Sequence, residues 1–363
     1  MSNKFIQKIT IENFKSIREL NSFPLSNINI LIGANGSGKS NFLSFFNFVR
    51  NIIEKNLGGY TAKSGKADGI LTFGRKNSPY LESAIELEDN KYGFRLLAAD
   101  DNSLYFEYER TKYIPSNNIF KDDSAHVESK LEYPSAGFFH AKHFVSQFKK
   151  ILQYHFHDVG DTSPIKSDDY VYEKEKLKFD GKNIAAFLYR LYTEEIDSYK
   201  LIVKTIRMVV PDFYDFYFPD NLNGTDKITL LWINKNDRDS IQHPSFLSDG
   251  SLRFICLATV LLQPISLIPD IVIIDEPELG LHPQALVILA NLIERISLQK
   301  QFIIATQSSQ FVDLFNANDI VVVNKNSDGT SSFTRLDDNK LSSWLEEYNV
   351  SDLWEMNLIG GLP

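Results

Sequence analysis

Gly33-Ala34-Asn35-Gly36-Ser37-Gly38-Lys39-Ser40 follows directly on the apolar run Ile28-Asn29-Ile30-Leu31-Ile32. These eight residues spell G-x-x-x-x-G-K-[ST] between a short strand and a helix-like segment, the setting that a phosphate-binding loop requires. Glycines let the backbone turn tightly and aim its N–H groups at phosphate oxygens, and a helix start adds a positive dipole end. Asn35, Gly36, Ser37 and Gly38 would form the cradle. Lys39 is expected to reach the β- and γ-phosphates, with the Ser40 hydroxyl as a Mg2+ ligand. The chain is therefore expected to bind a nucleoside triphosphate.

A second segment supplies the acidic half that such a site needs. Ile271-Val272-Ile273-Ile274-Asp275-Glu276-Pro277-Glu278 is four apolar residues that end in carboxylates. A buried strand delivering Asp275 at its C-terminal end can hold the Mg2+ shell, and Glu276 can polarise the attacking water. Upstream, Leu247-Ser248-Asp249-Gly250-Ser251 opens an apolar helix. Ser248 would sit near that helix's N-terminus, ready to donate to a phosphate. Taken alone, the same residues also fit an N-cap followed by a glycine turn.

Composition narrows the class. At 363 residues, with 43% hydrophobic and 23% charged residues, the chain has material for one large or two ordinary domains. The single cysteine, Cys256, excludes an internal disulfide and a cysteine zinc cluster. The N-terminus lacks a signal peptide's apolar core, and no run approaches a membrane span. A cytoplasmic protein with no membrane partner is expected. The net charge of −9 argues against a uniformly basic nucleic-acid surface but leaves a local patch open. Lys149-Lys150 and Lys174, Lys176 and Lys178 read as solvated faces, since Glu173 and Glu175 interleave the second group.

Along the chain, Ile6–Ile11 reads as a first strand and Asn41–Leu57 as the helix after the phosphate loop. Gly58–Gly69 reads as a mobile Gly/Lys/Ser-rich linker. Segments Leu81–Glu88, Lys91–Leu97 and Leu104–Glu109 alternate and are broken by turns, as in an antiparallel meander. From Phe139 to Lys204 the pattern is mostly helical, with Ile184, Phe187, Leu188 and Leu191 on one face of Lys182–Leu191. Strands are expected at Phe213–Phe218 and Ile228–Ile233, with a turn at Asn221-Leu222-Asn223-Gly224. Then helix and strand alternate: Ser251–Leu262, Ile271–Ile274, Pro283–Ile296, Phe302–Ala305, Phe311–Phe315 and Ile320–Val323. Alternation of this kind implies parallel strands with crossover helices, an α/β sheet that includes the phosphate-loop strand. About 200 residues separate Ser40 from Ser248, so the middle must hold an inserted subdomain.

In combination these motifs resemble the RecF/SMC-like branch of ABC ATPases. Ser248-Asp249-Gly250 resembles the signature motif, Leu279-Gly280-Leu281-His282-Pro283 the D-loop, and Ala305-Thr306-Gln307-Ser308 the switch. Ile11-Glu12-Asn13-Phe14-Lys15-Ser16-Ile17 looks like that branch's start, and Asn35 matches its Gly-x-Asn-Gly loop. The finer likeness is to bacterial AAA-type ATPases with ABC-like cores, relatives of the ATPase half of OLD-family nucleases. Tyr154–Asp158, Leu247–Phe254 and Asp275–Pro283 read like that group. The resemblance implies an α/β ABC-type ATPase core with an N-terminal antiparallel β meander and an inserted mostly helical subdomain. Its parts would be a lobe over 1–138, a helical lid over 139–212, and a lobe over 213–363 carrying signature, acidic strand, D-loop and switch.

The resemblance further implies ATP hydrolysis by a head-to-tail homodimer around two ATPs. Ser248 and Gly250 of one protomer would complete the site for the other's γ-phosphate, with Gln307 as the switch residue and Glu276 as the catalytic carboxylate. The switch is a glutamine where transporter ATPases carry histidine. Gln147 and Gln153 are both candidates for the Q-loop position. No heptad run or nuclease segment is legible, so an effector in trans, such as a nuclease, is the expected partner, with direct DNA clamping as the alternative. An energising role in a transporter fits Gln307 and the insertion less well. Tyr154-His155-Phe156-His157-Asp158 leaves three readings open: a metal site, a structural or nucleotide-contacting role near the lid, and plain packing.

Overall fold

The computed structural model describes residues 5–132, 141–160, 162–219 and 226–362. Two six-stranded sheets organise it. The core sheet runs Ser331–Arg335, Ile320–Lys325, Ile28–Ile32, Gln301–Ala305, Ile271–Asp275, Ile151–Tyr154. All neighbours are parallel except the first pair, which is antiparallel. Every residue of Ile28–Ile32 and Gln301–Ala305 is buried, because helices cover both faces; the strands are mostly apolar, and the two polar residues, Asn29 and Gln301, are hydrogen-bonded. In this register Leu31 lies opposite Ala305, and Ala305 opposite Asp275. The phosphate loop and the acidic strand end thus leave the sheet side by side, at the carboxyl edge where open α/β sheets bind ligands.

The second sheet is antiparallel, in the order Ile17–Pro24, Lys8–Phe14, Tyr80–Glu86, Asn90–Ala98, Leu104–Tyr113, Asn118–Asp122. The expected meander is its centre, extended at both edges. Between the sheets runs the phosphate-loop helix, Lys39–Ile53, which buries Phe42, Phe45, Phe46 and Phe48. Phe14 meets Phe45 edge-on at 5.3 Å between centroids, and Phe42 meets Phe46 at 5.4 Å. The core sheet separates two apolar layers. Leu31, Ile303 and Val323 face this helix, whereas Ile30, Ile304 and Val322 face the other side. There they pack with helices Ile184–Glu194, Ile196–Val209, Asp249–Leu262 and Pro283–Ser297.

Several expectations are corrected. Gly58–Gly69 is not a linker: it forms helices Leu57–Lys63 and Lys66–Ile70, with Leu57, Thr61, Ala67 and Ile70 buried. The stabilising partners are remote in sequence. Glu128 accepts from Leu57 N and Gly58 N at 2.9 and 3.0 Å, and Asn102 bonds to Asp68. Within the stretch read as mostly helical, Ile151–Tyr154 is the edge strand of the core sheet, paired with Ile271–Ile274. The strand Ser331–Arg335 was not anticipated. The expected turn at Asn221–Gly224 lies outside the described residues. Among the described residues no helix is long and apolar enough to cross a membrane.

One buried amide joins the two sheets. Gln301 accepts from Ile6 N at 3.0 Å and donates to Ile6 O and Ser26 O at 2.9 Å each. Replacing it with leucine strands three backbone groups, two of them at a fully buried residue. Gln301→Leu is expected to lose roughly 2–4 kcal/mol of stability, measured by urea unfolding. A loss under half a kcal/mol would show that the amide is not what ties the sheets.

Candidate functional site

The phosphate loop takes its shape from glycines in the left-handed region: Gly36 has φ +74° and Gly38 φ +116°. Gly38 precedes helix Lys39–Ile53 and gives it no side-chain cap, so the helix's leading N–H groups remain available to an anion. Lys39 is buried and donates to the carbonyls of Gly33 and Ala34, the latter at 3.1 Å. Burial lowers its pKa, while the negative charges of Glu276, Asp275 and Glu278 oppose that shift. Ser37 Oγ is buried without a hydrogen-bond partner. A cradle with an uncapped helix start and a buried ammonium fits a bound triphosphate.

The acidic half closes the other side. The cleft is lined by Asn35, Gly36, Gly38, Lys39, Ser40, Asn41, Glu276 and Gln307. The Ser40 hydroxyl stands beside the Asp275 carboxylate and favours its charged form, so the two expected Mg2+ ligands are neighbours. Burial, and then the Glu276 charge, raise the Asp275 pKa; His157, His155 and the Ser40 hydroxyl act against that. Glu276 sits at φ +45°, rare for a residue with a Cβ, and its N–H donates to Ala305 O at 2.8 Å. Gln307 Nε2 donates to Glu276 Oε1, and Gln307 N to Glu278 Oε1 at 2.9 Å. Burial raises the Glu278 pKa as well. Local negative charge therefore exceeds what Lys39 alone offsets, which suits a divalent cation.

His155 and His157 follow the edge strand and come near Asp275. His157 Nε2 lies 2.8 Å from Asp275 O, and the two imidazoles are 6.1 Å apart. Burial lowers the His155 pKa. Among the described residues no group of three or more His, Cys, Asp or Glu could hold a metal. Gln153 lies within the edge strand and lines a different cavity, with Arg50 and His155; the Gln147 side chain lies outside the described residues.

Ser248 caps helix Asp249–Leu262, accepting from Ser251 N at 3.1 Å. Ser248 and Gly250 do not line the Lys39 cleft. Gly250 instead packs on the expected D-loop: a Cβ there would fall 2.1 Å from Gly280 O. Sequence reasoning missed the loop's supports. Ser331 Oγ bonds Ser37 O and, at 2.8 Å, Ser16 Oγ, to which Asn41 Nδ2 donates at 2.7 Å. A Cβ on Gly38 would fall 2.1 Å from Ser331 Oγ. Nothing local signals this, because Ser331 is 294 positions from Ser37.

The family described as "AAA domain, putative AbiEii toxin, Type IV TA system" matches residues 28–313. Structural maintenance of chromosomes protein 3 of Arabidopsis thaliana is 36% identical over 93 residues, covering 24% of this chain and 7% of that protein. A putative ABC transporter ATP-binding protein of Methanosarcina acetivorans is 35% identical over 80 residues, covering 22% of this chain and 28% of that protein. The chain thus spans well under two thirds of either relative. Among solved structures, an Smc head bound to the C-winged helix domain of ScpA aligns with TM-score 0.55 at 17% identity, covering 93% of this chain and 99% of that one. An Smc head with an extended coiled coil, bound to the C-terminal domain of ScpA derived from Pyrococcus furiosus, gives 0.56 at 16%, covering 94% and 99%. At these identities the likeness is one of fold.

Lys39→Ala is expected to abolish Mg2+-ATP binding in calorimetry, since among the described residues no other cation lines the cleft. Gly38→Ala should weaken binding at least about tenfold, because a strained φ adds to the collision with Ser331. Undiminished affinity in Lys39→Ala would refute the site.

Proposed function

We propose, for a chain that belongs to this AAA domain family, that it is an ATP-hydrolysing ABC/SMC-like ATPase whose two sites are completed between two protomers. One observation carries the reading. Lys39, Ser40, Asp275, Glu276 and Gln307 converge at one cleft, whereas the helix start at Ser248 lies outside it. A γ-phosphate held only by the first set would have one side open to water. A second copy bringing Ser248 and Gly250 head to tail would cover that side. The assignment divides the chain at 138 and 212, with strand Ile151–Tyr154 returning the lid segment to the core sheet.

In this mechanism the phosphate loop and Lys39 bind and orient the triphosphate. Ser40 and Asp275 would hold Mg2+, which when bound neutralises charge on the β- and γ-phosphate oxygens. Glu276 takes the proton of the attacking water, and Gln307, bonded to Glu276, orders that carboxylate. Ser248 Oγ and its helix N-terminus stabilise the partner's γ-phosphate. Assembly would follow ATP binding and release would follow hydrolysis. The biological role we assign is sensor or motor subunit of a bacterial antiphage defence or DNA-processing system, working in the cytoplasm with an effector in trans.

A second reading, direct DNA clamping, is favoured by one feature. Lys91, Arg110, Lys112 and Lys121 line a cavity on the antiparallel sheet, a local cluster of cations on a chain of net charge −9, with Glu86, Glu82 and Asp123 paired to Lys91, Arg110 and Lys121. Binding to duplex DNA that weakens steeply with salt and with Lys112→Glu would support it.

Glu276→Gln should keep ATP binding, lose turnover by about a hundredfold or more, and trap an ATP-bound dimer in light scattering. Wild-type hydrolysis would transfer the role to Glu278. Ser248→Arg should bind ATP as a monomer yet neither dimerise nor hydrolyse. Mixed with Lys39→Ala protomers, it should regain one working site per heterodimer. Full activity of Ser248→Arg alone would eliminate the shared site.

A further inference from the structure

One side chain fastens the helix that opens at Ser248 to the acidic end of the core sheet. Arg253 donates from Nε to Phe156 O at 3.1 Å, from Nη1 to Leu279 O at 2.9 Å and from Nη2 to His157 O at 3.0 Å. His157 Nε2 in turn meets Asp275 O at 2.8 Å, the ring nitrogen donating. The contacts close a circuit: helix Asp249–Leu262, the Leu279-Gly280 turn, the strand end at Asp275 and the Phe156-His157 segment. Beside it, Gly250 lies against Gly280 so tightly that a Cβ would fall 2.1 Å from Gly280 O. A Cβ on Gly280, itself at φ +71°, would fall 2.9 Å from Arg253 Nη1. The two glycines thus bring backbone against backbone, and the guanidinium bolts the joint.

The chemistry of the partners is informative. All three acceptors are carbonyls, and among the described residues no carboxylate forms an ion pair with Arg253. A rigid planar fork with five donors can serve three converging carbonyls at once; a lysine ammonium on a flexible stem cannot hold the same three directions. The bonds to Leu279 O and His157 O are exposed, so water can replace them at small cost to folding. What water cannot replace is the fixed relation between the three segments.

We infer that Arg253 is a positioning residue: it makes the signature helix, the Leu279-Gly280 turn and the Asp275 end of the core sheet one rigid unit within a protomer. Seating Ser248 on the partner's nucleotide then sets the placement of Asp275 and Glu276 in the seated protomer's own site, which links the two sites of the dimer. This second half rests on the shared-site reading above; the rigid unit stands on the hydrogen bonds alone.

Arg253→Lys and Arg253→Gln in the full chain test both halves, each made with and without Glu276→Gln. Without nucleotide, hydrogen exchange is expected to speed up together in peptides covering 155–158 and 278–282, while 254–262 stays protected. ATP affinity should stay within about threefold, and ATP-driven dimers should still form in the Glu276→Gln background. In the single variants kcat should drop at least roughly tenfold with KM little changed, and lysine should not rescue it. Unchanged exchange in either segment overturns the rigid unit. Wild-type kcat in Arg253→Lys overturns its role in turnover. Ser248→Arg, measured alongside, separates the failures: normal hydrolysis by that variant removes the shared site, while the exchange result still decides the unit.

Discussion

The site depends first on the parallel register of three strands. Ile28–Ile32, Gln301–Ala305 and Ile271–Asp275 lie in adjacent positions, with Leu31, Ala305 and Asp275 in line. Neighbouring strands are about 4.8 Å apart, so loops leaving one edge emerge within roughly 10 Å of each other. That spacing suits a phosphate chain with a cation bridged to a carboxylate. A one-residue slip of the acidic strand would turn its buried side chains to the opposite face and withdraw Asp275 from Ser40. Apolar side chains on both covered faces hold the strands in the core, and specific polar contacts mark their register: Asn29 donates to Phe302 O at 2.9 Å, and Gln301 to Ile6 O and Ser26 O.

Charge sits in this frame at a cost. Asp275 and Glu278 are partly desolvated, and Glu276 adds a third carboxylate against the single ammonium of Lys39. The surroundings offset the imbalance with polar contacts: the Ser40 hydroxyl, the two histidines and the Gln307 amide. The left-handed backbone at Glu276 is further strain held by the fold, through its hydrogen bond to Ala305. Strain and excess charge in one cleft are what a site for a cation-bridged anion would show.

The packing explains why the loop keeps its shape. Helix Lys39–Ile53 is clamped between two sheets by phenylalanines, so its N-terminus has little freedom to shift. Ser16, in the turn between strands Lys8–Phe14 and Ile17–Pro24, and Ser331 from the core sheet's edge hold the loop from behind. Both sheets therefore contribute to one small cradle, and the buried Gln301 amide keeps the sheets in register with each other.

What could be read in the sequence was local. Gly33–Ser40, the acidic strand end and the Ser248 helix start each declare themselves through spacing and type, because glycine φ, strand burial and helix capping are short-range physics. The amphipathic helices and the meander were legible for the same reason. Remote contacts decided the rest. Gly58–Gly69 looked like a linker because its Glu128 and Asn102 partners lie tens of residues away. Ile151–Tyr154 looked helical because its partner strand, Ile271–Ile274, is distant in sequence. The Ser331 and Ser16 supports, the meeting of Gly250 with Gly280 and the fork of Arg253 have no signature in any window. Each is a hydrogen bond or a close approach between segments that only the folded sheet brings together.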